Sequence, residues 1–283
     1  MIELALNRLQ KYYGATMVLE DITFEVMTKD RVGIVGDNGC GKTTLFKIIM
    51  GIEGYEKGML TVRKGATLGY LEQVPNYPEG YRVKDVLQEA FKELLELEGS
   101  MKFLEKKLAK AEEAEKILKS YSELQITFEG LGGYEREEKL SKVCTGLKIG
   151  EKFLEQEFHK ISGGEKTTVI LGKILLESPD ILLLDEPSNH LDLEALEWLE
   201  DYLKEYKEVV LLISHDRYFL DKVATKIVEI EDMVSATYQG NYTAYVKEKE
   251  RQLQLQLADY EDQQKKIKAM EKSIAQLRDW GQR

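Results

Sequence analysis

Gly36-Asp37-Asn38-Gly39-Cys40-Gly41-Lys42-Thr43 stands between a short apolar run, Arg31-Val32-Gly33-Ile34-Val35, and a helix-like stretch, Thr44-Leu45-Phe46-Lys47-Ile48-Ile49-Met50. The eight residues fit G-x-x-x-x-G-K-[ST], and their flanks supply the strand and the helix that this loop needs on either side. Glycine lets the main chain bend sharply and bring its amides up to an anion without a Cβ in the way. On this reading Lys42 reaches the β- and γ-phosphates of a nucleoside triphosphate and Thr43 offers its hydroxyl to Mg2+. The helix that starts there turns the positive end of its dipole towards the phosphates. Cys40 needs only to be small, and amides at a helix start are expected to lower its thiol pKa.

Working outward, Ile181-Leu182-Leu183-Leu184-Asp185-Glu186 is a continuous apolar run ending in two carboxylates. Such a run suits a parallel strand buried on both faces. In open α/β sheets, ligand chemistry collects at the carboxyl ends of the strands, where Asp185 and Glu186 fall. Asp185 can hold Mg2+ through water, and Glu186 can polarise the water that attacks the γ-phosphate. An acidic pair after a strand also serves as a solvated strand end; the phosphate loop upstream favours the catalytic reading. Between the two motifs, Ile161-Ser162-Gly163-Gly164-Glu165-Lys166 precedes an apolar-periodic helix through Leu171, Ile174 and Leu175. Ser162 is a good N-cap, and the two glycines expose amides to an anion.

Phosphate loop, Ser-Gly-Gly-Glu and Leu-Leu-Leu-Asp-Glu, in this order, resemble an ATP-binding cassette (ABC) ATPase. Asp185-Glu186-Pro187-Ser188-Asn189-His190-Leu191-Asp192 and Ser214-His215-Asp216-Arg217-Tyr218-Phe219-Leu220-Asp221 resemble its ABC-F subfamily more specifically. Proteins of that subfamily carry two cassettes in one chain and act on the ribosome. The resemblance spans essentially the whole chain. It implies a P-loop α/β cassette with an antiparallel β lobe, a helical signature subdomain with a short arm-like insertion, and a C-terminal linker helix.

The resemblance also implies roles. Gly36 to Thr44 would hold the phosphates of ATP, and Tyr13, with Tyr12 as second candidate, would stack on the adenine. Gln73 would reach Mg2+ and the attacking water, beside Thr43 and Asp185 as metal groups. Glu186 would activate the water and His215 would sense the γ-phosphate. Ser162, Gly163, Gly164 and Glu165 would contact ATP held by an opposing cassette, so each active site is assembled from two domains. The chain carries one copy of each motif and supplies half of each of two sites. The family usually has Leu at position 161, Thr at 188 and Arg at 168, where this chain has Ile, Ser and Thr; the last change puts one contact beside the signature helix in doubt.

Around these motifs, residues 1–242 read as the nucleotide-binding cassette and 243–283 as the linker helix, which by its pattern stops in mid-helix, as in an N-terminal piece of a longer protein. Residues 1–72 are strand-rich. From Val83 to Phe128 the chain is helical, with Leu87, Phe91, Leu94, Met101, Leu104 and Leu108 on one face and a possible break at Gly99-Ser100. The helical insertion of about 83–160 leaves room for an arm, or for the signature subdomain alone. In the last segment Leu253, Tyr260, Ile267 and Ile274 recur every seven residues, a weak stripe suited to docking on another helix. Lys265, Lys266, Lys268 and Lys272 offer a local contact for RNA phosphates.

Composition sets outer bounds. A chain of 283 residues, 43% hydrophobic, can bury one large α/β core, and no apolar run reaches the roughly 18 residues of a membrane span. Two cysteines form no disulfide framework, which suits a reducing cytoplasm. A net charge of -11 argues against coating by nucleic acid over the whole surface. The expectation is an ATPase, weak as an isolated cassette, that closes on a second cassette and works on the ribosome with its rRNA or tRNA, as a translation factor or in antibiotic resistance. The alternatives are the nucleotide-binding subunit of a membrane transporter, which shares every catalytic motif, and an interaction module that binds ATP without turnover.

Overall fold

The computed structural model describes residues 1–71, 75, 77–108 and 114–281. The strand β6 (Ile181–Asp185) explains its own sequence: Leu182 and Leu184 point into one hydrophobic core, Ile181 and Leu183 into another, and all four are fully buried. Its neighbour β7 (Val209–Ile213) divides the same way, with Val210 and Leu212 on one face and Val209, Leu211 and Ile213 on the other. Side chains alternate across a strand, so a sheet covered on both faces needs apolar residues at every position.

Among the described residues nine strands form one sheet in the order β4-β1-β2-β9-β8-β3-β7-β6-β5. Its parallel part comprises β3 (Arg31–Val35), β5 (Leu68–Leu71), β6, β7 and β8 (Lys226–Glu231). The antiparallel part is β1 (Ile2–Tyr13), β2 (Thr16–Met27) and β4 (Lys57–Val62), and β9 (Val234–Gln239) joins the two. Helix α1 (Lys42–Ile49) packs Leu45, Phe46, Ile48 and Ile49 into the core beneath this β lobe.

The opposite core is helical. It gathers α2 (Val83–Gln88), a 3-10 turn (Glu89–Phe91), α3 (Lys92–Leu108), α4 (Ala114–Gly130), α5 (Arg136–Gly146), α6 (Glu151–Leu154), α7 (Gly163–Glu177), α8 (Leu193–Glu205) and α9 (Arg217–Val223). Two sequence expectations need correction here. Helix α3 runs through Gly99-Ser100 unbroken, and the Ser100 hydroxyl bonds back to the Glu96 carbonyl at 2.9 Å. The shared apolar face also fades along α3, which packs mainly on α4: Met101 is buried, Leu104 half-buried and Leu108 exposed. The final helix, α10 (Tyr242–Gly281), begins one residue before the expected linker. Its Leu253, Tyr260 and Ile267 are exposed, as an unpartnered stripe would be. The side chains of Lys268, Lys272 and Ile274 lie outside the described residues, as does Lys110. Among the described residues no helix is long and apolar enough to cross a membrane.

Candidate nucleotide site

Four helices begin around the carboxyl edge of the sheet or the signature loop, and only one lacks a side-chain cap. Ser162 accepts from the Glu165 amide and Glu165 answers the Ser162 amide at 2.7 Å, a reciprocal capping box at the start of α7. Asp192 caps α8 through the Ala195 amide, and Asp216 caps α9 through Tyr218 and Phe219. Helix α1 instead begins after Gly41, which has φ 100° and no side chain to offer, and its first turn holds no acidic residue. Its positive dipole end is therefore left for an anion from outside the chain.

The loop before α1 is shaped by close approach. Gly36 has φ 149°, and a Cβ there would stand 2.3 Å from the Ile230 carbonyl oxygen of β8. No other residue fits without moving that strand. Asp37, Asn38 and Gly39 are exposed. The buried Lys42 folds back over the loop, donating to the carbonyls of Gly36 at 2.8 Å and Asp37 at 2.9 Å. Thr43 is exposed and Thr44 half-buried on the first turn of α1.

Strands β3 and β7 are neighbours in register, and β6 lies beside β7, so the phosphate loop, Asp185-Glu186 and Ser214-His215 share one sheet edge. There the Thr43 hydroxyl donates to Asp185 Oδ2 at 2.7 Å. Two hard oxygens at this separation fit a divalent cation such as Mg2+, which takes one or two protein groups and completes its shell with phosphates and water. Among the described residues no group of three or more His, Cys, Asp or Glu could hold a metal by itself.

Glu186 occupies the left-handed region at φ 52°, rare for a side chain of its size. Its amide donates to the Ile213 carbonyl at 2.9 Å and its carbonyl accepts from Asn189, so the surrounding backbone fixes the strained turn. Its Oε2 accepts from the His215 amide at 3.3 Å, and its buried Oε1 has no hydrogen-bond partner. Burial raises the Glu186 pKa above the usual carboxylate range, against the lowering effect of the His215 amide. A half-buried carboxylate with one free lone-pair oxygen is chemically suited to take a proton from water. His215 is largely exposed, with Nε2 3.5 Å from that oxygen. Ser188 and Ser214 hydroxyls, 3.5 Å apart, tie the two loops together.

The structure brings Lys42, Thr43, Asp185, Glu186 and His215 into one edge cluster and leaves other expected residues apart. No hydrogen bond among the described residues joins Ser162–Glu165 to the phosphate loop. The Ser162–Glu165 segment packs under His190 instead, whose Cβ and ring would lie 3.1–3.2 Å from a Cβ on Gly164. Thr168, where the family has arginine, bonds back to the Gly164 carbonyl at 3.2 Å. Tyr13 is half-exposed at the tip of the β1–β2 hairpin, with its hydroxyl on Glu53 and Lys11 Nζ 5.1 Å from its ring centroid. Gln73 lies outside the described residues. The expectation for Cys40 is overturned: its pKa is raised, because half-burial under the loop outweighs the nearby Lys42 charge and amide. Sequence reasoning missed the capping roles of Asp192 and Asp216, although an Asp directly before an apolar-periodic run is a legible start signal.

Two family models, both described as ABC transporter, match residues 19–189 and 228–283. The chain is 42% identical over 269 residues to the protein YdiF of Bacillus subtilis, covering 94% of this chain and 42% of that protein. It is 38% identical to ABC transporter F family member 5 of Arabidopsis thaliana, covering 96% of this chain and 40% of the relative. Identity to the energy-dependent translational throttle protein EttA of Haemophilus influenzae is 32%, over 93% of this chain and 46% of that protein. The chain thus spans less than half the length of these three relatives. A solved structure titled "Structure of ATP binding subunit of ABC transporter" superposes with a TM-score of 0.64 at 23% identity, covering 84% of this chain and 90% of that one, a likeness of fold.

Proposed function

The chain belongs to the ABC transporter family of ATP-binding cassettes, and from that premise we propose that it is one cassette of an ABC-F ATPase that works on the ribosome. ATP would seat its phosphates on the Gly36–Thr44 amides, with the Lys42 ammonium leaving its two loop carbonyls for the phosphate oxygens. Tyr13 offers a half-exposed ring to the adenine. Thr43 and Asp185 would hold Mg2+, which neutralises phosphate charge when bound. Glu186, strained, half-buried and with Oε1 free, would take the proton of the attacking water, and His215 would donate to the γ-phosphate. Ser162 to Glu165 would complete the site of an opposing cassette, in the same longer chain or in a second copy.

The observation carrying the ATPase reading is the 2.7 Å contact between Thr43 and Asp185, 142 positions apart, with Glu186 beside it. The ribosomal part rests on similarity to ABC-F members and EttA. Co-sedimentation tests it: the Glu186→Gln chain with Mg-ATP should pellet with ribosomes in a nucleotide-dependent way. A chain that ignores ribosomes yet binds membrane-protein partners would favour the transporter-subunit reading.

A further inference from the structure

The first turns of α10 are held by a buried carboxylate that lies next to the phosphate loop. Glu229 is only 6% exposed. It sits on β8 opposite Val35, the last residue before Gly36 in the parallel β3–β8 ladder. The next residue, Ile230, presents the carbonyl on which Gly36 is packed. Glu229 Oε1 accepts from the Tyr245 hydroxyl at 2.6 Å and from Lys249 Nζ; Oε2 accepts from Tyr238 at 3.3 Å. Lys249 also reaches Glu231 at 2.9 Å. Tyr245 and Lys249 are one helical turn apart, so a single face of α10 grips this strand end.

A second tie runs to the other side of the site. The Thr243 amide donates to Asp221 Oδ1 at 2.6 Å, and Asp221 belongs to α9, the helix that follows His215. Between the two ties lies a polar cavity of about 490 Å3, walled by Gly36, Asn38 and His215 on one side and by Tyr245 and Lys249 on the other.

We propose that Glu229, Tyr245 and Lys249 form a latch that couples the seat of α10 to the phosphate loop, making them positioning residues for nucleotide binding. A shift of the loop or of the His215 turn on binding ATP moves the two anchor points of α10. Glu229 is buried while Lys249 is partly exposed, and a buried carboxylate that loses its Tyr245 and Lys249 donors is costly, so few intermediate geometries are favourable. Coupling of this kind is reciprocal: whatever loosens the seat weakens ATP binding by the factor with which ATP tightens the seat. The inference rests on the proposal that the 36–43 loop binds ATP.

The test is hydrogen exchange of the α10 amides 245–250 in the 283-residue chain, with and without Mg-ATP, alongside ATP affinity from a fluorescent ATP analogue. Mg-ATP should slow exchange in these turns by about fivefold or more. Tyr245→Phe and Lys249→Met should abolish that nucleotide dependence and weaken ATP binding by a similar factor. Lys249→Arg should retain both, and Arg251→Ala, which removes only the exposed pair with Glu248, should change neither. Exchange indifferent to bound ATP overturns the latch, as do latch variants that loosen α10 while affinity stays within about twofold. Failure of the unaltered chain to bind the analogue would overturn the ATP reading itself, an outcome distinct from binding without any response in α10.

Discussion

Nε2 of His215 lies 3.5 Å from Oε1 of Glu186, and the amide of the same histidine donates to Oε2 of that carboxylate at 3.3 Å. One residue therefore addresses both oxygens of the proposed base, with its backbone fixing one and its ring standing near the other. Glu186→Gln keeps the shape and the amide contact but removes the proton acceptor. Turnover should fall by about 100-fold or more, with ATP binding retained, as read by single-turnover hydrolysis and nucleotide titration.

The same substitution has a consequence for stability. Burial raises the Glu186 pKa, so the folded state favours the protonated acid. The group's contribution is most favourable below its unfolded pKa and is lost as pH rises through the raised folded value. Glu186→Gln should therefore raise the melting temperature near neutrality, with the gain shrinking as pH falls back through the raised folded pKa. A melting temperature lower than that of the unaltered chain at neutral pH would contradict this account of the site.

Acid should attack the fold elsewhere. Arg63 bonds the buried Glu3 of β1 and reaches Asp180, just before β6, at 2.6 Å, so it joins the β lobe to the parallel sheet. The Arg63 hydrogen bond, aided by Thr28, holds Glu3 below the usual range; the Thr67 amide and hydroxyl, with Arg63, do the same for Asp180. Depressed carboxylates stabilise the fold above their unfolded pKa and lose that contribution as pH falls through the folded values. Arg63→Leu should lower the melting temperature at pH 7 and move the acid-unfolding midpoint to higher pH, measured by circular dichroism.

Cysteine labelling offers a graded probe of the loop. Burial raises both thiols, Cys144 to about 11, while Cys40 is only half-buried beside Lys42. Both should react slowly at neutral pH, Cys40 faster than Cys144, and Cys40 should speed up as pH climbs past its ordinary range. Mg-ATP should slow Cys40 and leave Cys144 unchanged. Equal rates for Cys40 with and without Mg-ATP would argue that phosphates do not occupy this loop.

The sequence disclosed most where one physical requirement dictated composition over several residues. The run at 181–185 suits a strand covered on both faces, which it is, and Gly36 is legible from its motif, for which the structure supplies the reason: a backbone carbonyl of β8 leaves no room for a Cβ. What stayed hidden depended on long-range packing. Nothing local marks Glu229 as buried or pairs it with Tyr245 and Lys249, and the sequence predicts an acidified Cys40 thiol because its helix start is visible there while its burial is not. Gly99-Ser100 reads as a helix break because local composition does not show the packing of α3 against α4.

Assembly is the last expectation, and it follows from where the signature loop points its chemistry. Ser162 and Glu165 are committed to each other in the capping box, and no hydrogen bond among the described residues ties them to the phosphate loop of the same chain. If this loop completes a site on another cassette, the isolated chain should bind ATP as a monomer and hydrolyse it poorly, with rate rising more steeply than linearly in protein concentration. Glu186→Gln should then trap ATP between two copies, and light scattering with Mg-ATP should register a dimer. Lys42→Ala should not dimerise, because on the proposed reading the lysine would reach the phosphates, and through Gly36 and Asp37 it holds the loop in shape. Its ATP affinity should fall by about 100-fold or more, given that charge-assisted bonds of this kind contribute about 1.5–3 kcal/mol each. Robust turnover whose specific activity stays constant over a wide dilution range would mean that one chain suffices, and the shared-site mechanism would be lost for this protein.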